Sequence, residues 1–371
     1  MLLKDQTESQ IGATETLLPL ATRTGRRDNH IADLVREGVR VDHYGENQTG
    51  LPYFTGYSYD TLYDWDQYFE AVVQLYLGLP PEHALNGVRI FISRQHDDGF
   101  IARSVPSTPT HDHEHVKPFL AQIVLLCHRG WPGDEALSLL QEPGVLDGLA
   151  HYLRYWCESC DAGGEFAGLS VWQSAPHTGM DNQHERAGGW RDVVSAGVDL
   201  NCYLVRELRA MAELCDLAGG DWAARAGEYR DAADRRATLV REQLWDDEAG
   251  FFFDGNARKD EDVWCRNAPR GSVLWNANRD RLIRVSSVSG FAPLFAGVAT
   301  PEQTRRLVDD HLLDPTRFWT PAPVPALSRG EHGYTPTPLP GDVGCSWRAN
   351  AWLPTNYMLV HGLRRYGYDQ L

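Results

Sequence analysis

The sequence predicts an all-α chain folded as one domain of stacked helical hairpins. Apolar residues recur at helical spacing along most of its length, and strand signals are few. The intervals between helices are long loops rich in His, Pro and aromatic residues. Trp65, Phe69, Val72 and Tyr76 open the series on one helical face, and Leu149, Leu153 and Trp156 repeat the pattern before a Cys pair. Leu200, Leu204, Leu208, Met211 and Cys215 form the cleanest stripe, which Gly219-Gly220 stops with a C-cap signal. Residues 221–245 continue as an Ala/Arg-rich helix. Thr300-Pro301-Glu302-Gln303 reads as a capping box with Pro at the first helical position, and Pro354 opens a helix carrying Leu359, Leu363 and Tyr366. The run around 251–255 reads as one arm of a small β-hairpin. Loops at 97–116, 161–193 and 314–349 have the length at which compact domains place function. Residues 1–29 read as a polar lead-in and 30–371 as the single domain.

Composition narrows the function classes. A net charge of -16 with no Lys/Arg stripe excludes a nucleic-acid partner. No apolar run reaches the roughly 18 residues of a membrane span, and the opening MLLKDQTESQ lacks the apolar core of a secretory leader. Seven cysteines, an odd number spread over a long chain, predict reduced thiols and a cytoplasmic protein. Cys157 and Cys160 lack a second ligand pair, so they read as two small residues ending a helix. Twelve Trp, 15 Tyr and 12 Phe exceed the needs of a core, and several sit in polar stretches. Such rings stack on the C–H faces of sugars.

Two segments concentrate chemistry. Tyr59-Asp60-Thr61-Leu62-Tyr63-Asp64-Trp65-Asp66 sets carboxylates among aromatics at a helix mouth. That arrangement suits sugar hydroxyls and equally suits an N-cap Asp above core rings. Trp172-Gln173-Ser174-Ala175-Pro176-His177-Thr178-Gly179-Met180-Asp181-Asn182 places Asp181 in a loop crowded with Trp and His. A carboxyl group that donates a proton near neutrality needs its pKa raised, which an aromatic, poorly hydrated pocket does; the bland reading is a turn Asp.

Six motifs in order carry a resemblance. They are Tyr-Asp-Trp-Asp-Gln-Tyr-Phe at 63–69, Thr-Gly-Met-Asp-Asn at 178–182, Val-Asp-Leu-Asn at 198–201 and Leu-Trp-Asp-Asp-Glu-Ala-Gly-Phe-Phe-Phe-Asp at 244–254. Phe-Trp-Thr-Pro-Ala-Pro-Val-Pro at 318–325 and Ser-Trp-Arg-Ala-Asn-Ala-Trp at 346–352 complete the set. The series resembles glycoside hydrolase family 63, above all its short bacterial members acting on mannosylglycerate and glucosylglycerate, and more distantly the trehalases. The resemblance implies an (α/α)6 toroid, an inverting mechanism and Asp181 as general acid. It implies sugar contacts at Trp65 and Asp66 with Tyr59 and Tyr63 as walls, and a further wall from Trp347, Arg348 and Trp352. Trp172, Arg186 and Trp319 join the candidate substrate-binding set, as does Lys117, a cation that this chain adds to the substrate loop.

This chain departs from the family pattern at four places. Ser346 stands for Tyr, with Ala349-Asn350 for Gly-Pro; Lys117-Pro118 stands for Gln-Pro-Pro; and Gln183-His184-Glu185-Arg186 stands for Ser-Pro-Arg. The fourth concerns the base. The family's catalytic Glu follows the Trp347–Trp352 region, yet no Glu follows Glu331. The expectation is a chain that stops before the base and the toroid's last helix; the alternatives are a different base or an impaired site.

The run His111-Asp112-His113-Glu114-His115 could present alternate side chains to a metal, but no further ligand set accompanies it, so loop hydrogen bonds are the better reading. No cofactor is implied, because protonation and water attack need only two carboxylates. The leading function is an inverting α-glycosidase acting on a small α-glucoside or α-mannoside. Its alternatives are a sugar-binding protein without turnover and a 2-epimerase-like isomerase using His113, His177 and His332 as bases. The expected partner is a small carbohydrate, with no nucleic acid and no membrane.

Overall fold

The computed structural model describes residues 37–56, 60–109, 112–187, 195–258, 280–322, 324–336 and 346–371. Its helices are α1 (Asp64–Tyr76), α2 (Glu82–Ser93), α3 (Leu120–Gly130), α4 (Glu135–Leu140), α5 (Val145–Glu158), α6 (His184–Ala187) and α7 (Val198–Ala218). They continue as α8 (Gly220–Gln243), α9 (Ala292–Ala296), α10 (Pro301–Arg306) and α11 (Leu353–Arg365). The strands are short and antiparallel: β1 (Val39–Val41) pairs with β2 (Pro52–Phe54), and β3 (Leu62–Tyr63) with β4 (Ser104–Val105). β5 (Ser195–Ala196), β8 (Asp254–Asn256) and β9 (Leu282–Ile283) form a three-stranded sheet with β8 in the middle. β6 (Trp245–Asp246) and β7 (Phe251–Phe252) form the hairpin expected near 251–255, and the chain then crosses to β8.

Helices α1, α3, α7, α9 and α11 pack side by side in that order. Phe69 of α1 meets Tyr357 of α11 edge-on at 6.1 Å, which brings the two ends of this arc together. Outside it, α2 packs on α3, and α8 lies along α7. The stripe Leu200–Leu204–Leu208–Met211–Cys215 is buried on α7, and Gly219 ends the helix at φ 73°. The capping box at Thr300 is made in both directions. On α1 the predicted stripe is buried at Trp65 and Val72 but emerges at Tyr76, the last residue of the helix, which is exposed. No described helix is long and apolar enough to cross a membrane.

Two contacts fix how the helices meet. Glu207 of α7 accepts from the N–H groups of Ala121 (2.6 Å) and Gln122 (3.1 Å) and from the Tyr152 hydroxyl. It therefore satisfies the open end of α3 from a neighbouring helix. Burial pushes this carboxyl up to about 7 despite those donors. Gly362 of α11 is pressed on α9, where a Cβ would lie 2.7 Å from Leu294 Cβ and 2.8 Å from Phe295 N.

Gly362→Ala is expected to destabilise the protein by about 1–3 kcal/mol, because backbone cannot yield to the added methyl; a urea midpoint checks it. Glu207 has a folded pKa above its unfolded value, so its favourable linkage is full below about 4.5 and is lost as pH rises through about 7. Glu207→Gln is expected to flatten the fall in the urea midpoint across that window.

Candidate active site

The site begins where α1 does. β3 pairs with β4, matching Tyr63 to Ser104, and α1 starts at the next residue. Asp64 turns inward: its carboxylate accepts from Trp65 N (2.7 Å) and Lys117 N (3.0 Å) and holds Lys117 Nζ at 3.2 Å. That pair is nearly solvent-free and lies under the Trp65 ring, whose centroid is 5.4 Å from the ammonium. The half-buried Tyr63 and Asp66 flank this pair, one ending β3 and the other in the first turn of α1.

The Thr-Gly-Met-Asp-Asn loop is seated on Trp65. Pro176–Thr178 forms a 3-10 turn that Gly179 ends at φ 82°. A Cβ on Gly179 would sit 2.6 Å from Trp65 Cζ2, so both the turn and the contact require glycine. Asp181 lies two residues on and is half-buried. Asn182 Oδ1 accepts from Trp347 N at 2.9 Å, while Gln183 Nε2 donates to the carbonyls of Trp347 (2.5 Å) and Ala326 (3.0 Å). Trp347 approaches Trp65 at 6.0 Å and stacks on Trp352 at 4.1 Å with 7° between the planes. Trp65, Trp347 and Trp352 thus form one aromatic wall, held beside Asp181 by hydrogen bonds from the residues that follow it.

Charge converges on the same place. Arg103 donates through Nη1 to the Pro176 carbonyl, pairs with Glu114 at 3.0 Å and stands 5.9 Å from the Tyr63 ring centroid. Burial works against its charge, but Glu114, Asp64, Asp181 and Tyr63 outweigh it and raise its pKa. Burial also raises the Tyr63 phenol; Arg103 opposes this, and Asp66 and Asp181 add to it. The fields of Asp66 and Asp181 therefore meet at Tyr63. Neither Arg103 nor Glu114 stands out in the sequence as a site residue, since Glu114 is hidden inside a histidine-rich run.

Three residues expected to touch substrate lie behind the wall instead. Trp172 is fully buried and donates Nε1–H to Asp199 Oδ1 at 2.9 Å. Arg186 is buried between Asp199 and Asp254, with Nε at 2.7 Å from Asp254 Oδ2 and Nη1 at 3.0 Å from Asp199 Oδ2. Lys117 is committed to Asp64. Arg348 is half-buried, with Nη1 on the Gly333 carbonyl at 3.3 Å. Trp319 is exposed, and no ring contact among the described residues joins it to the wall. Tyr59 lies outside the described residues.

Two of the histidines, His115 and His177, are held by hydrogen bonds within the protein. His115 is buried, with Nδ1 3.0 Å from Ile101 N and Nε2 3.1 Å from the Tyr152 carbonyl; burial pushes it down to about 3. His177 Nε2 lies 2.6 Å from the His115 carbonyl and its Nδ1 accepts from Gln173 N, so the ring is neutral and occupied on both sides. His111 lies outside the described residues, and no metal-holding group of three occurs among them.

Residues 59–371 match the family model of the mannosylglycerate hydrolase MGH1-like glycoside hydrolase domain. The chain belongs to this family. A solved relative is the GH63 mannosylglycerate hydrolase from Thermus thermophilus in complex with Tris and D-glycerate. It is 18% identical, with a TM-score of 0.66, over 92% of this chain and 88% of that one. The same enzyme in complex with glucose matches at 17% identity and a TM-score of 0.65, over 92% and 87%. Neutral trehalase Nth1 from Saccharomyces cerevisiae matches at 18% and 0.60, over 89% of this chain and 67% of that one. This likeness places the helical arc in the GH63 and trehalase-like toroid, the architecture expected for this glycoside hydrolase chain.

Arg186→Met is expected to cost about 3–5 kcal/mol, because it leaves two buried carboxylates facing each other. A urea titration would show this loss; an unchanged midpoint with a raised KM would return Arg186 to the substrate.

Proposed function

We propose that the chain is an inverting α-glycosidase for a small α-glucoside or α-mannoside, with Asp181 as general acid. The observation carrying this is the seating of the Asp181 loop on Trp65, beside the wall that Trp347 and Trp352 complete. Such a wall offers a flat apolar face to a pyranose and excludes water from one side of the glycosidic bond. Asp66 and Tyr63 offer hydroxyl partners at its edge.

In this reading a sugar lies against Trp65 and Trp347. The Asp181 carboxyl gives its proton to the glycosidic oxygen as the bond from that oxygen to the anomeric carbon breaks. Water adds to the opposite face and loses its proton to a second carboxylate, with the two carboxylates about 6.5–9.5 Å apart. We assign no residue to that second role. Glu331 accepts from Ser286 N at 2.8 Å, a contact that serves the 324–331 segment. Of the three histidines that an isomerase could use as bases, His177 has both nitrogens engaged within the protein.

The Thermus relative was solved with glucose and with D-glycerate, so glucosylglycerate and mannosylglycerate head the substrate panel, followed by trehalose and kojibiose. Asp181→Asn is expected to lower kcat/KM on the hydrolysed glycoside by about 10²–10⁴-fold. It should spare the matching glycosyl fluoride, whose leaving group needs no proton. Proton NMR should show the β-anomer as first product. No release from the panel, with Asp181→Asn matching the parent protein, would defeat the proposal; binding without release would instead mark a sugar-binding protein.

A further inference from the structure

The buried pair Arg103–Glu114 has a role that helix packing does not require. Glu114 is fully buried, lies 3.0 Å from Arg103 Nη1 and accepts from the Ser174 hydroxyl. Arg103 reaches the other way to the Pro176 carbonyl, and Ser174 Oγ accepts from His177 N at 3.0 Å. The pair is thus bolted to the start of the turn that presents Gly179 and Asp181, at Ser174 and Pro176. A glutamine at 114 could accept the Ser174 hydrogen bond through its amide oxygen, while the oxygen that faces Arg103 would become an NH2 group. What it would lack is the negative charge.

We infer that Glu114 is a positioning residue for proton delivery: by neutralising Arg103, it sets the pH range over which Asp181 carries its proton. The inference rests on the reading of Asp181 as general acid. A buried guanidinium favours the ionised form of any carboxyl within its field, and the low local dielectric lengthens that reach. Arg103 acts on Asp181, and Glu114 is its strongest partner. Arg348, beside Trp347, donates to the Gly333 carbonyl, and the two buried cations behind the loop have carboxylates of their own. Lys117 is paired with Asp64 under Trp65, and Arg186 with Asp199 and Asp254 behind Met180. Asp66 of α1 and Tyr63 at the end of β3 face the loop, and His177 within it is neutral. Removing the Glu114 charge therefore takes away the strongest counter-charge of Arg103 and strengthens its pull on Asp181.

The test is the pH profile of kcat/KM on a hydrolysed glycoside and on its glycosyl fluoride, for the parent protein, Glu114→Gln and Arg103→Gln. The basic limb on the glycoside is expected to move down by about 0.5–1.5 pH units in Glu114→Gln and up in Arg103→Gln. The fluoride should lack that limb. A purely structural role would lower the rate without moving the limb in opposite directions. Either single variant decides alone if the other fails to fold. The double variant, with no charge at either position, should return the limb to within about 0.3 units of the parent. A limb that stays put, or moves the same way in both, overturns the inference while leaving Asp181 as acid. A limb that persists in Asp181→Asn, or appears with the fluoride, overturns both.

Discussion

Arg186 donates to Asp199, Asp254 and Met180 Sδ and has all five of its N–H groups engaged inside the protein. It ties three otherwise unrelated pieces together: the loop bearing Asp181, the first turn of α7 and the middle strand of the small sheet. Asp254 also accepts from Val198 N, and Asp199 from the Trp172 indole, so each carboxylate holds more than the guanidinium. Coulombic attraction alone would not justify burying three charges. The directionality of the fork does, because it specifies one relative placement of loop, helix and strand.

On the open side of that clamp the chemistry changes character. Charges behind the tryptophans are matched at short range, Lys117 with Asp64 and Arg103 with Glu114. The half-buried groups in front of them are Tyr63, Asp66 and Asp181. A rigid backing in which these cations are each paired lets a few partly solvated carboxyls respond to a ligand without the frame rearranging.

Much of the architecture was legible because helices with one buried face write it as a stripe, as α7 does from Leu200 to Cys215. α3 wrote none: Ile123, Val124 and Leu125 are buried on successive positions, so its apolar run lacks a period. The site divides the same way. Trp65, Trp347 and Trp352 were found through short motifs, and the structure joins them. Lys117, Trp172 and Arg186 are of the same chemical types in the same neighbourhoods, yet they face inward. What decides this is the position of partners such as Asp254, 68 residues from Arg186, which no local pattern contains. The Arg103–Glu114 pair escaped notice for the same reason.

The contact between Gly179 and the Trp65 indole has a thermodynamic side. With no Cβ between them, loop and ring move as one piece, so the freedom lost in aligning a carboxyl with a sugar platform is surrendered when the polypeptide folds. A ligand arriving there has only its own tumbling left to give up.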